Sequence, residues 1–185
     1  FVARLKTTVE ALGVGDPFDK KNRVGALVSR EQMERVLGYI RTGTNEGAQI
    51  VCGGAQMEMS GDFAGGNFVR PTVFDNVTNQ MRIAREEIFG PVLAVIPFAN
   101  VAEAVAIAND TEFGLAAAVW TPDIKKALRM AAALKAGTVW VNTYNVFDPA
   151  LPFGGFKQSG FSRDLGAEAL DNYLQTKSVW VDLGG

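Results

Sequence analysis

Two stretches of the 185-residue chain hold residue types at spacings that could do chemistry. The first is Glu86-Glu87-Ile88-Phe89-Gly90-Pro91. A carboxylate can accept paired hydrogen bonds from vicinal hydroxyls such as those of a ribose, and Phe89 offers a flat apolar face to a ring. The same residues also read as a solvated acidic pair balanced by Arg82 and Arg85, with Phe89 in the core. Residue types alone favour this second reading. The second stretch, Asn142 to Gly160 (NTYNVFDPALPFGGFKQSG), mixes Asn, Asp, Pro and Gly with large apolar groups. A long loop with several aromatics is more often functional than spare. Phe147 and Phe153 fit pocket walls and loop anchors equally well. Its glycines read as turn formers. The lysine–hydroxyl ending of a phosphate loop is missing, and no GxGxxG lies between a strand and a helix.

Two counts remove whole classes of chemistry. The chain has no histidine, so His-dependent triads, Cys–His dyads and His-ligated metal sites are impossible within it. It has one cysteine, Cys52, so neither an internal disulfide nor a thiolate zinc cluster can form. Cys52 lies at a strand end beside two glycines, without a basic partner, and reads as a small buried hydrophobe rather than a nucleophile. Acid–base chemistry must come from carboxylates, Lys or Tyr, or from residues outside this chain.

The composition is that of an ordinary globular protein, with 48% hydrophobic and 21% charged residues. A net charge of −2 gives no reason to expect nucleic acid or an anionic membrane as partner. No apolar run approaches the length that spans a bilayer. A reducing, cytoplasmic compartment fits the single cysteine. No leader is legible, and the chain opens at Phe1 without Met or a helix cap, as expected of a piece of something longer.

The elements that must position these stretches follow from periodicity and punctuation. Phe1 to Leu12 reads as a helix, with Phe1, Leu5, Val9 and Leu12 on one face. Gly13 to Pro17 stops it, and Phe18 to Val28 reads as a loop. Ser29 and Gln32 have capping-box spacing for a helix carrying Met33, Val36, Leu37 and Ile40. Gly38 inside it suggests close packing. Gln49 to Cys52 reads as a strand. Pro71 predicts an edge position for the extended segment Phe68–Phe74. Three unalternating apolar runs follow, Val92–Ile96, Leu115–Trp120 and Thr138–Val141. Helices separate them, one opened by Asn100 and Glu103, the other by Thr121-Pro122-Asp123 and running to Gly137. The pattern predicts an α/β fold, a parallel βαβαβ sheet covered by helices. Ligands of such sheets sit beyond the strands' carboxyl ends, where Asn142–Gly160 begins. Ala167–Thr176 reads as a helix and Ser178–Leu183 as a last strand, an edge that wants pairing.

Taken together, these segments resemble the aldehyde dehydrogenase superfamily. REEIFGPVLAVIPF (Arg85–Phe98), NDTEFGLAAAVWT (Asn109–Thr121), AGTVWVN (Ala136–Asn142) and PFGGFKQSG (Pro152–Gly160) carry the resemblance, in family order. GDPFD (Gly15–Asp19) and GYIRTGTNEGAQIVCGG (Gly38–Gly54) agree with it. The resemblance implies oxidation of an aldehyde to a carboxylic acid with NAD or NADP. A cysteine thiolate attacks the carbonyl, and a glutamate then assists hydrolysis of the thioester.

By the same resemblance, that cysteine, that glutamate and the dinucleotide domain belong upstream of Phe1, so no catalytic residue lies in this chain, and the chain alone is expected to be inactive. Residues 1–176 correspond to part of the catalytic domain, and residues 177–185 to an oligomerisation tail. Glu87 matches the glutamate that binds the nicotinamide ribose hydroxyls, and Phe89 the phenylalanine beside the nicotinamide. Gln32 and Arg35 match helix positions that contact the same ribose in some members. Phe147 and Phe153 match aromatics of the substrate funnel, and Asn142 the asparagine that opens its loop. Ser162 and Asp164 depart from the frequent SGxGRE pattern. The tail implies a homodimer or homotetramer. A non-catalytic assembly module of the same fold is the alternative.

Overall fold

A computed structural model describes residues 1–185 and divides the chain into two units, Phe1–Phe98 and Ala99–Gly185. In the first unit, α1 (Val2–Glu10) leads into a short parallel pair, β1 (Gly13–Val14) and β2 (Asn22–Val24), where the sequence predicts only a turn and a loop. Asn22 Nδ2 donates to the Asp16 carbonyl at 3.0 Å and closes the intervening turn.

Helix α2 (Arg30–Asn45) starts where predicted, with Ser29 Oγ accepting from the Gln32 backbone N–H at 3.1 Å. Its spacing buries Met33, Val36 and Ile40 in one cluster with Ala48, Val69, Phe74 and Val77. Full burial of a side chain such as Phe74 contributes about 1.5–3 kcal/mol. Gly38 is not the closely packed glycine of α2. A Cβ there would meet only Arg41 Nη2, at 3.8 Å, whereas one on Gly43 would lie 2.8 Å from Ile83 Cδ1 and 3.2 Å from Phe74 Cζ.

β3 (Gln49–Cys52), β4 (Thr72–Asp75), α3 (Arg82–Arg85) and β5 (Val92–Ala94) complete the unit. The sheet order is β3-β4-β5, antiparallel then parallel. The Pro71 segment is therefore central, not an edge. Pro71 stands one residue before the ladder, so its missing N–H is never required, and Thr72 N–H donates to the Pro91 carbonyl at 2.8 Å. Cys52 is buried and free.

In the second unit Asn100 Oδ1 caps α4 (Val101–Asn109), and Glu103 reaches back to the Ala99 N–H at 2.6 Å. β6 (Phe113–Gly114) later pairs antiparallel with β9 (Phe156–Lys157). β7 (Ala116–Val119), α5 (Ile124–Ala133) and β8 (Thr138–Val141) form the predicted parallel βαβ unit, with Ala116 opposite Thr138 and Val119 opposite Val141. Asp123, not Thr121, caps α5, accepting from the Lys126 N–H at 3.0 Å, and the helix ends at Ala133, short of Gly137.

The first of the three predicted strands, Val92–Ile96, behaves differently. β5 pairs with β4 rather than β7, because the upstream segment Thr72–Asp75 offers it a parallel edge in register. Ala167–Asn172 is a 3-10 turn rather than a helix to Thr176. Ser178–Leu183 forms no ladder, since no strand of this chain pairs with it, and Trp180 is 95% exposed. No helix is long and apolar enough to cross a membrane.

Candidate active site

In the first unit, the segment Glu86–Gly90 connects α3 to β5 and lies along α2. Phe89 has a backbone φ of +57°, in the left-handed region that a bulky residue rarely adopts. Such a conformation costs about 1–3 kcal/mol and persists only where its surroundings over-determine it. α2 supplies those surroundings. Gln32 Nε2 donates to the carbonyls of Phe89 at 2.9 Å and Ile88 at 3.2 Å, and Arg35 Nη2 reaches the Glu87 carbonyl at 3.5 Å. Gln32 thus completes only half of the capping box: its backbone meets Ser29 while its side chain faces the segment. One turn further, Tyr39 Oη donates to Glu86 Oε2 at 2.8 Å.

The two carboxylates of the segment have different fates. Arg82 grips Glu86 through Nε at 2.7 Å and Nη2 at 2.8 Å. These bonds, then the Tyr39 hydroxyl, hold the Glu86 carboxyl down at about 2, against an ordinary 4.5. The guanidinium carbons of Arg35 and Arg82 each lie 5.8 Å from the Tyr39 ring centroid. Glu87 is exposed, and its carboxylate has no partner within the chain. The Phe89 ring is 73% exposed rather than in the core. A free carboxylate two residues from an exposed flat ring suits a ligand that joins a vicinal diol to an aromatic ring.

In the second unit, the loop after β8 is built on aromatic contacts. Trp140 is buried, and its indole N–H donates to the Val146 carbonyl at 2.8 Å. Its ring meets Tyr144 at 5.0 Å and Phe147 at 5.7 Å, and Phe147 meets Phe153 edge-to-face at 5.0 Å. Trp140, Phe147 and Phe153 border a cavity of about 460 Å³, with Asp148 its only ionisable lining residue. Asn142 has φ +54° and pairs with the Thr121 backbone twice, Oδ1 accepting at 2.8 Å and Nδ2 donating at 2.9 Å. Its amide adds a rung beyond Val119 and Val141 and fixes where the loop leaves the sheet.

The aldehyde dehydrogenase family model matches residues 1–179. The chain belongs to the aldehyde dehydrogenase family. A putative aldehyde dehydrogenase, DhaS, of Bacillus subtilis is 53% identical over 98% of this chain, and a betaine aldehyde dehydrogenase of Brucella anthropi is 48% identical over 100% of it. The P. syringae indole-3-acetaldehyde dehydrogenase AldA, solved with NAD+ and IAA, superposes with a TM-score of 0.91 at 50% identity over 99% of this chain. A Mycobacterium tuberculosis aldehyde dehydrogenase solved with NAD+ gives a TM-score of 0.90 at 46% identity over 100%. This chain spans only 36–38% of the length of these relatives.

Within the aldehyde dehydrogenase frame, the first unit brings Gln32, Arg35, Glu87 and Phe89 together, and the second brings Phe147 to Phe153. Arg82, expected only as a charge balancing the acidic pair, grips Glu86 directly, and sequence reasoning missed Tyr39 and Trp140. Tyr39 lies seven residues after Gln32 on the same helical face, a spacing that could have revealed it.

Proposed function

We propose that this chain is the C-terminal part of the catalytic domain of an NAD(P)-dependent aldehyde dehydrogenase. The observation that carries the reading is the unpartnered Glu87 carboxylate beside the exposed, left-handed Phe89. Glu87 accepts from the ribose hydroxyls of NAD or NADP, and Phe89 flanks the nicotinamide, with Gln32 and Arg35 serving the same site. The cofactor supplies the hydride acceptor. The thiolate that attacks the aldehyde and the glutamate that activates water come from residues upstream of Phe1. The paired rings of Phe147 and Phe153 form an apolar funnel wall suited to aliphatic or arylalkyl aldehydes, and Asn142 sets that wall's origin.

Residues 177–185 would serve as the oligomerisation tail of a homodimer or homotetramer, a reading supported by the exposure of Val179, Trp180, Val181 and Leu183 and by the lack of a ladder partner. That tail also suits a purely structural assembly module.

The test compares the full-length protein with the 185-residue chain on a panel of aldehydes with NAD and NADP. Turnover by the full-length protein and none by the chain is expected. Steady turnover by the chain, abolished by Cys52→Ala, would overturn the placement of the nucleophile.

A further inference from the structure

Helix α4 ends without a basic residue in its last turn, so its own sequence supplies no cation to its terminal carbonyls. One arrives from 48 residues away. Lys157 Nζ, on β9, donates to the Asn109 carbonyl at 2.9 Å and to the Thr111 carbonyl at 2.8 Å. The Asn109 side chain carries the tie onward to the end of α5: Nδ2 donates to the Ala133 carbonyl at 2.9 Å, and Oδ1 accepts from the Lys135 N–H at 2.8 Å. Lys157 also has a φ of +55°, a left-handed conformation at a residue other than glycine. Its backbone stands opposite Phe113 in the ladder of β6 and β9, and the Gln158 N–H donates to the Glu112 carbonyl at 3.0 Å.

We propose that Lys157 is a positioning residue, whose ammonium clamps β9 to the ends of α4 and α5 and so sets where Phe153 stands in the substrate wall. This deepens the reading of Phe147 and Phe153 as a funnel wall and rests on it. Only Gly154, Gly155 and Phe156 separate Phe153 from the clamp, and the two glycines are not a slack hinge. The Gly154 carbonyl lies so close to Gly137 that a Cβ on Gly137 would overlap it. A Cβ on Gly155 would overlap the Ser159 carbonyl, and the Gly155 carbonyl accepts from Arg163 Nη1 at 2.9 Å. Phe153 exchanges backbone bonds with Asp164, 2.7 Å in each direction. A shift of β9 is therefore passed to the Phe153 ring, which meets Phe147 at 5.0 Å. Bonds from an ammonium are about twice as strong as neutral ones, although water competes for this exposed group.

The experiment uses the full-length protein with Lys157→Met, which keeps an apolar stem and removes the donors, and Lys157→Arg, which keeps the charge and the donors. Amide hydrogen exchange is measured over residues 109–114 and 153–158. Steady-state KM is measured for the aldehyde and for NAD or NADP, whichever supports turnover. Lys157→Met is expected to speed exchange about tenfold and to raise the aldehyde KM about three- to tenfold, with the nucleotide KM unchanged and Lys157→Arg restoring most of both effects. Unchanged exchange in Lys157→Met overturns the clamp. An equal rise in both KM values marks general loosening and overturns the positioning role. Faster exchange with the aldehyde KM unchanged overturns that role where Phe153→Ala raises the KM. Where Phe153→Ala leaves the KM unchanged as well, the clamp stands and the funnel reading of Phe153 falls instead.

Discussion

Gly90→Ala tests how tightly the segment before β5 is packed against α2. An added Cβ would lie 2.5 Å from Val36 Cγ2 and 3.0 Å from Cγ1. Val36 cannot turn aside, because it is fully buried between Met33 and Ile40 and its β-branched side chain is stiff in a helix. If the core absorbs the methyl, overpacking costs about 1–3 kcal/mol. If the segment yields instead, it must retreat by about 1 Å to reach van der Waals distance. That retreat stretches the 2.9 Å Gln32–Phe89 bond beyond hydrogen-bonding range, a loss of about 1 kcal/mol and about fivefold in cofactor affinity. Urea unfolding of the full-length protein and NAD calorimetry read the two outcomes separately. Gly38→Ala is the control on the same helix. It has open space and should stabilise by up to about 1 kcal/mol through helix propensity. Wild-type stability together with wild-type NAD affinity in Gly90→Ala would refute the packing argument.

Glu86 gives a pH signature. Its carboxyl is held at about 2 in the folded chain against an ordinary 4.5, so its stabilisation is full above about 4.5 and lost as pH falls toward 2. Wild-type protein should therefore lose more stability than Glu86→Gln across that window in urea unfolding, and an equal or steeper loss in the variant contradicts the assignment. Trp140→Phe removes the donor to the Val146 carbonyl and should cost about 1–2 kcal/mol in unfolding free energy. Phe153→Ala removes the edge-to-face partner of Phe147 and enlarges the apolar wall, so KM for small aldehydes should rise in steady-state kinetics of the full-length protein.

What the sequence revealed was local. The α2 stripe and its Ser29 cap depend on neighbours a few residues apart, and both are where periodicity puts them. The βαβ unit through α5 is legible for the same reason. Partner choice is not local. β5 could have joined any parallel edge, and Pro71 misled because one residue separates a strand's interior from its threshold. Gly38 and Gly43 are indistinguishable by sequence, since only the fold brings Ile83 and Phe74 against one of them. The family resemblance, not the residue types, is what singles out Glu87 and Phe89. The left-handed turn at Phe89 was not legible, because Gln32 enforces it from 57 residues away.

The bond from Trp140 to Val146 also makes the aromatic loop optically visible. The chain has three tryptophans. Trp120 is 64% exposed, Trp180 is 95% exposed and Trp140 only 9%. In fluorescence of this chain the first two are expected to behave as solvated indoles open to collisional quenchers. Trp140 is shielded and hydrogen-bonded against Tyr144 and Phe147, so its emission should resist such quenchers. Its quantum yield and quenching constant thus record whether the loop lies closed on β8, and replacing Trp120 and Trp180 with Phe leaves that signal alone within this chain.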